Sequence, residues 1–340
     1  MSSTPEPTNK TGQPVVTQHR AWLQLVITGL IIGAAFIAVY VGLQRDPEPT
    51  QLPLAVVGEQ LATAADTGFG DSVEVLQVAS IADGQQLVRD GNAIAVVGST
   101  SPTTLKLDYA GASGFSESGA ARQLVGGLAK HTGASVQEQD IVPLVKYDSR
   151  GLSAFYVVFG VTLSSFVLAQ GLTAVTALVR LRHRLYAMAG FAVVIGLVAA
   201  VIAGPIYGSL NAPFPLLALS LILLSAASAF TTKALGAWLG PAGIGLAVLV
   251  LTTLGNAASG ATIGYDLLPG WARAISAKLP PGAAVRAVNN FGYFAGHHAV
   301  LPLVVLALWA LAGFALVLLR PRLQRTPKAA AHLAPVTAAA

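Results

Sequence analysis

GLSAFYVVFGVTLSSFVLAQGLTAVTALVRLRHR, residues 151–184, runs for 29 residues without a charge and then places three arginines in five positions. About 20 apolar residues cross a bilayer, and basic residues closing such a run fix its orientation. The run exceeds what a crossing needs, so the helix is expected to tilt or project beyond the bilayer. Further along the chain, residues 185–232 form a second uncharged stretch of 48 residues. Asn211-Ala212-Pro213-Phe214-Pro215 punctuates it as a tight turn and divides it into two spans. Lys233 follows, then a fifth span over Gly240–Thr262 and a sixth over Leu301–Leu319, closed by Arg320, Arg322, Arg325 and Lys328. Upstream, residues 1–20 form a polar tail with no apolar period to bury, expected to be disordered. Ala21–Gln44 then gives 24 uncharged residues, longer than a signal-peptide core and without a small-residue cleavage site, so it predicts an uncleaved anchor.

The composition agrees. Of 340 residues, 54% are hydrophobic and only 10% charged, too few charges to cover a soluble domain of this size. A soluble enzyme, a fibrous protein and a disordered chain are excluded. The net charge of +5 comes from basic residues at helix ends, not from a basic face, so a nucleic-acid partner is excluded as well. No cysteine is present, which removes disulfides, thiol catalysis and cysteine-bearing zinc sites.

Residues 45–150 differ in kind, with thirteen acidic and seven basic residues. Leu52–Val57, Val73–Val78, Ala93–Val97, Leu105–Tyr109 and Ser135–Pro143 read as strands, and Glu59–Ala65, Ile81–Asp90 and Ser116–His131 as helices. Such alternation predicts a small α/β domain with partly parallel strands. With the N-terminus inside, ten basic residues and the single acid Glu6 fall on the cytoplasmic side. The positive-inside bias therefore predicts both termini inside and the acidic domain outside, at the cell membrane. The expected architecture is a polytopic helical membrane protein of six spans with an inserted extracytoplasmic α/β domain.

Little in the chain carries chemistry. There is no P-loop, no H-E-x-x-H and no G-x-S-x-G, so no nucleotide, metal, cofactor or catalytic residue is expected. Lys233 reads as a residue at a cytoplasmic helix end that snorkels to the surface, which leaves no coupling ion a binding group inside the spans. His297-His298 reads as a pair at the water–membrane boundary. Among the Gly-x-x-x-Gly pairs, Gly29/Gly33 is best placed for helix contact. Gln170, Asn256, Ser225 and Ser228 either line a path or bond between helices. Residues 259–298 are too apolar for a free loop. Trp271–Leu279 and Ala283–Asn289 read there as two short amphipathic helices interrupted by Pro280-Pro281-Gly282. This segment, with Asp266, Trp271, Arg273, Lys278 and Arg286, reads equally as an interfacial cap or as the outer gate of a pathway.

The layout resembles the permease subunits of ABC-2 type exporters, most closely the phage-infection-protein-like branch, although the insert is short for that branch. LPLAVV at 52–57, LVRDGNAIAVV at 87–97, LPPG at 279–282 and FGYF at 291–294 carry the resemblance. It implies a dimeric permease that exports a lipid, drug or polymer, powered by a separate ATPase subunit, with membrane lipids around it. In that case Arg180, Arg182 and Arg184, on a short cytoplasmic turn, are candidate contacts for the ATPase. The alternative is a non-transporting membrane protein whose outer domain binds a partner or organises envelope assembly.

Overall fold

The structure, a computed structural model, describes residues 16–323. Residues 1–15 of the expected disordered tail and residues 324–340, with Arg325 and Lys328, lie outside the described residues. Helix α1 (Val16–Gln44) starts earlier than expected and takes in residues 16–20.

The α/β domain, termed the outer domain for its position beyond one end of the helix bundle, is a five-stranded sheet of β1 (Leu52–Val57), β2 (Val73–Val78), β3 (Ala95–Ser101), β4 (Thr104–Tyr109) and β5 (Ser135–Asp140), in the order β2-β1-β3-β4-β5. β1 pairs in parallel with β2 and β3, and β4 with β5, while β3 and β4 form an antiparallel hairpin. Helices α2 (Glu59–Phe69), α3 (Ile81–Arg89) and α4 (Phe115–Thr132) make the parallel connections. The side-chain period of two decides which residues meet which layer. Leu52, Leu54 and Val56 face α2 and α4, with Ala65, Leu107 and Val125 in the same core. Ala55 and Val57 face the other way, where α3 alone is too narrow to cover the sheet. The remainder of that face is closed by residues 141–144 and by Tyr293 and Phe294, brought in from the far end of the chain.

Five helices are long and apolar enough to cross a membrane, which makes this a multi-pass membrane protein. They are α1, α5 (Ser153–Ala174), α6 (Leu181–Val201, continued by a π turn to Ile206), α7 (Phe214–Leu239) and, last in the chain, α11 (Val300–Leu323). The expected fifth span is shorter than its uncharged run. Helix α8 covers Pro241–Ala257, passing through a π-helical stretch at Val248–Leu254, and stops where Ser259-Gly260 turns the chain, Gly260 at φ +82°. At 1.5 Å per residue that is about 25 Å, somewhat less than a bilayer core. Nor is α5 overlong: it ends at Ala174, because β-branched Val175 and Thr176 lead into turns and buried Lys233 donates to the Leu172 carbonyl in its last turn.

Helix α7 is the axis of the bundle. Its second half, SAASAFTTKALGA at 225–237, is made of small residues that let neighbours close in. Gly196 of α6 lies so near that an added Cβ would sit 2.5 Å from Ile222 Cγ1, and one at Gly313 of α11 would sit 2.7 Å from the Phe230 carbonyl carbon. By contrast, Gly29 and Gly33 face open space. Contacts fix the directions: Ser165 meets Ser225 and Thr173 meets Lys233, so α5 parallels α7, and Trp238 bonds Leu316, so α11 does too. Gly196 against Ile222 and Gly204 against Leu217 make α6 antiparallel, and Gly245 beside Thr28 and Ile32, with Leu43 beside Ala257, sets α1 along α8. Val16 and Leu323 thus lie at one end of the bundle and the outer domain at the other.

Candidate functional site

Residues 259–298 are built into the bundle and the outer domain together. After the short helix α9 (Gly270–Ser276) comes α10 (Pro280–Tyr293). The two prolines expected to interrupt helix instead begin it, since Pro suits the first positions, where no N–H bond is needed. Ala283, Ala284, Val285 and Val288 of α10 are buried with Val158 and Val161 of α5, Leu217 and Leu221 of α7, and Leu306 of α11. This is a plug in the outer half of the bundle, not a surface cap.

The end of α10 then enters the outer domain. Phe294 is 7% exposed, among Ala55, Val88, Ala93, Val96, Ala110 and Ala112. Gly91, at φ +73°, leaves room for the ring: a Cβ there would lie 3.1 Å from Phe294 Cγ. The Val145 N–H donates to the Tyr293 hydroxyl, His298 Nε2 lies 2.9 Å from Asn92 Oδ1, and His297 Nε2 lies 3.5 Å from Asp90. The histidine pair therefore joins domains, and no group of three or more metal-ligating side chains occurs among the described residues.

A second contact forms at α4. Glu117 is buried, and its carboxyl accepts the Asp266 N–H at 2.9 Å and that of Tyr265, capping the 3-10 turn Tyr265–Leu267. Only glycine fits at 264, where φ is +98° and a Cβ would meet Glu117 Cγ at 2.4 Å. Asp266 O accepts the Thr50 N–H at 3.0 Å, and Arg273 donates to Thr50 O. The guanidinium groups of Arg273 and Arg286 lie 5.4 and 5.0 Å from the Tyr265 ring, within cation–π range. Burial, then the Asp266 charge, pushes Glu117 up to about 8, against the pull of its two N–H bonds and Arg273. Burial likewise raises Asp266 to about 6, with Arg273 opposing and Glu74 adding.

The sign follows from these shifts. Both carboxyls hold their protons more tightly when docked than when free, so their contribution is complete below the ordinary carboxylate range. It is lost as pH rises through about 6 and then about 8. Hydrogen exchange in residues 260–268, corrected for intrinsic rates, is expected to be slower at pH 5.5 than at pH 8. Glu117→Gln, which cannot ionise, should remove most of that difference; an unchanged difference would take Glu117 out of the account.

Of the five residues expected at an outer gate, Asp266, Arg273 and Arg286 converge here. Trp271 is 54% exposed and stands apart. Lys278 is also exposed, and its carbonyl accepts the Trp309 Nε1–H at 2.7 Å. Inward of α10, Ser165 of α5 bonds Ser225 of α7 at 2.7 Å, and the hydroxyl-bearing residues Thr162 of α5 and Ser228, Thr231 and Thr232 of α7 are buried as well. The hydroxyls of Thr162, Ser228, Thr231 and Thr232 have no partner among the described residues. Asn256 is buried on α8, donating to Leu251 O at 3.0 Å, whereas Gln170 is exposed.

At the other end, Arg180 and Arg182 are exposed but Arg184 is buried, its Nη1 donating to Thr176 Oγ1 at 2.7 Å. Lys233 does not snorkel. It sits six residues before the end of α7, 3% exposed, with Nζ on Leu172 O at 3.2 Å and Thr173 Oγ1 at 3.0 Å. On the outer domain, a groove of about 830 Å³ runs between the 47–49 linker, the end of α2 and α4, walled by Phe69, Phe115, Leu124, Leu128 and Leu267. No family model, no curated protein and no solved structure matches the chain.

Proposed function

We propose that the chain is the membrane subunit of an ABC-2 type exporter that moves a lipid, drug or polymer, working as a dimer with a separate ATPase. The observation that carries this reading is the set of buried, partly unbonded hydroxyls on α5 and α7, with α10 packed across the same end of the bundle as the outer domain. Polar groups inside a membrane domain are expensive and mark pathways. The segment that carries α10 is joined to the outer domain at Phe294 and Glu117, as an outer gate requires. In this reading α8 makes a sixth crossing, and the end of the bundle holding Val16 and Leu323 is cytoplasmic, in the cell membrane.

Two measurements test it. Single cysteines at Gln86 and Asn211 should react with an impermeant thiol reagent in intact cells, and one at His183 should not; labelling at His183 overturns the orientation. An ATPase should accompany the protein through purification in mild detergent. Its contact is expected at Arg180 and Arg182, since Arg184 is buried. Replacing both exposed arginines by Lys keeps the charge but removes the bidentate fork, and about a 10-fold weaker association is expected. Absence of any ATPase from the purified complex defeats the exporter reading. The outer groove favours the second reading, a partner-binding membrane protein: a bound partner lost on Leu124→Glu, with no ATPase present, would support that instead.

A further inference from the structure

We propose that Lys233 and Arg184 form a binding site for a phosphate group, foremost that of an anionic lipid headgroup, at the end of the bundle opposite the outer domain. The proposal does not depend on the exporter reading.

The two cations are held inward by α5. Lys233 spends two of its three donors on Leu172 O and Thr173 Oγ1, and Arg184 spends Nη1 on Thr176 Oγ1. Thr176 Oγ1 in turn donates to Thr173 O at 2.7 Å, tying both anchors to the last turn of one helix. What remains is a third ammonium N–H on Lys233 and the rest of the Arg184 guanidinium, including Nε, which is buried and has no partner among the described residues. Both side chains are more than nine-tenths buried. Arg320, near the end of α11, is a third positive charge close enough to act on Lys233.

No acid among the described residues is placed beside them. Residues 149–340 contain one acid, Asp266, which is at the opposite end of the bundle, and residues 1–45 contain only Glu6, outside the described residues. The remaining thirteen lie within residues 46–148, across the membrane domain. The C-terminal dipole of α5 offers about half a negative charge, against two buried cations and a third nearby. Buried charge left unbalanced is costly, so an anion from outside the chain completes the site. Orientation signals alone need no such burial: Arg180 and Arg182, exposed, already serve that purpose.

Phosphate is the anion these donors fit. A guanidinium matches its oxygens with planar geometry, and an ammonium adds a compact charge. The site lies at the end of the bundle, where headgroups of the surrounding bilayer present phosphate in quantity.

The test uses the full chain in neutral detergent, titrated with phosphatidylglycerol, phosphatidylcholine or inorganic phosphate while its melting temperature is followed. Phosphatidylglycerol should stabilise well beyond phosphatidylcholine. Arg184→Gln and Lys233→Gln should weaken that response by about 10-fold or more, as expected when a charged hydrogen bond is lost. Arg182→Gln, which removes the same charge from an exposed position, should leave it within about 2-fold. Should Lys233→Gln fail to fold, Arg184→Lys takes its place: it keeps the charge, and less phosphatidylglycerol should remain bound in native mass spectrometry. Protection by inorganic phosphate matching that by lipid would keep the site and assign it to a free phosphate. Equal responses to the two lipids with none to phosphate, or a loss in Arg182→Gln equal to that in Arg184→Gln, would overturn the proposal.

Discussion

Phe294→Ala should loosen the outer domain from the membrane bundle and lower the stability of the full chain by about 3–5 kcal/mol. The ring fills the sheet face that α3 leaves uncovered, among the fully buried small residues Ala55, Val88, Ala93, Val96, Ala110 and Ala112. Removing it costs the transfer energy of the ring and leaves a cavity against Ala55, Val96 and Ala110. Hydrogen exchange should rise in β1, β3 and α3, and thermal unfolding of the purified protein should move to lower temperature. Phe294→Leu, which keeps much of the volume, should cost about 1.5 kcal/mol or less. Phe115→Ala is the matched control: that ring is 76% exposed, and its loss should stay within about 0.5 kcal/mol. Unaltered exchange in β1 and β3 of Phe294→Ala would mean that the ring does not complete this core.

Gly313→Leu is expected to break the packing of the membrane domain. A Cβ at 313 would lie 2.7 Å from the Phe230 carbonyl carbon and 2.8 Å from the Thr231 nitrogen. Both are backbone atoms of α7, which no rotamer change can move aside. Overpacking a close helix contact costs about 1–3 kcal/mol when side chains can adjust, and more where only backbone can yield. Loss of the monodisperse peak in detergent is the expected readout, with Gly313→Ala intermediate. Gly29→Leu should be tolerated within the protomer, because nothing lies within 4 Å of a Cβ there. A Gly313→Leu protein as stable as the parent would remove α11 from direct contact with α7.

The contrast between these glycines shows where reading from sequence stops. The pattern G-x-x-x-G drew attention to Gly29, but which glycine meets another helix depends on the rotation of each helix about its own axis. Strands β1 and β2 were legible to the residue, because a period of two with turn residues at both ends leaves one assignment. The uncharged runs revealed the long helices for an equally simple reason, the energy of a charge in hydrocarbon. They did not reveal where α5 and α8 end, since capping by Lys233 and the Ser259-Gly260 turn act within runs that stay apolar. Pro280-Pro281 was misread because a proline pair stops one helix and starts another with the same residues. Glu117 and Lys233 were hidden by their types: one acid among thirteen on a solvated domain, and one lysine near a helix end, look like surface charges. Only the tertiary contacts with Gly264 and with α5 distinguish them. Phe294 was one aromatic among several that suit the membrane boundary, and nothing local says that its ring points into another domain.

The place of Phe294 in the chain also sets an order of events during synthesis. The outer domain's own strands are complete at Asp140, but the residue that finishes its core is translated more than 150 positions later. At about 5–20 residues per second, a ribosome needs about 8–30 s to cover that distance. For that interval the sheet carries an open apolar seam, and it can shut only after helices α5 to α8 have been made and α10 has packed back against the domain. Maturation of the outer domain is thereby made conditional on correct insertion of the helices behind it. A chain that mis-inserts them leaves the seam unfinished and open to proteases and chaperones.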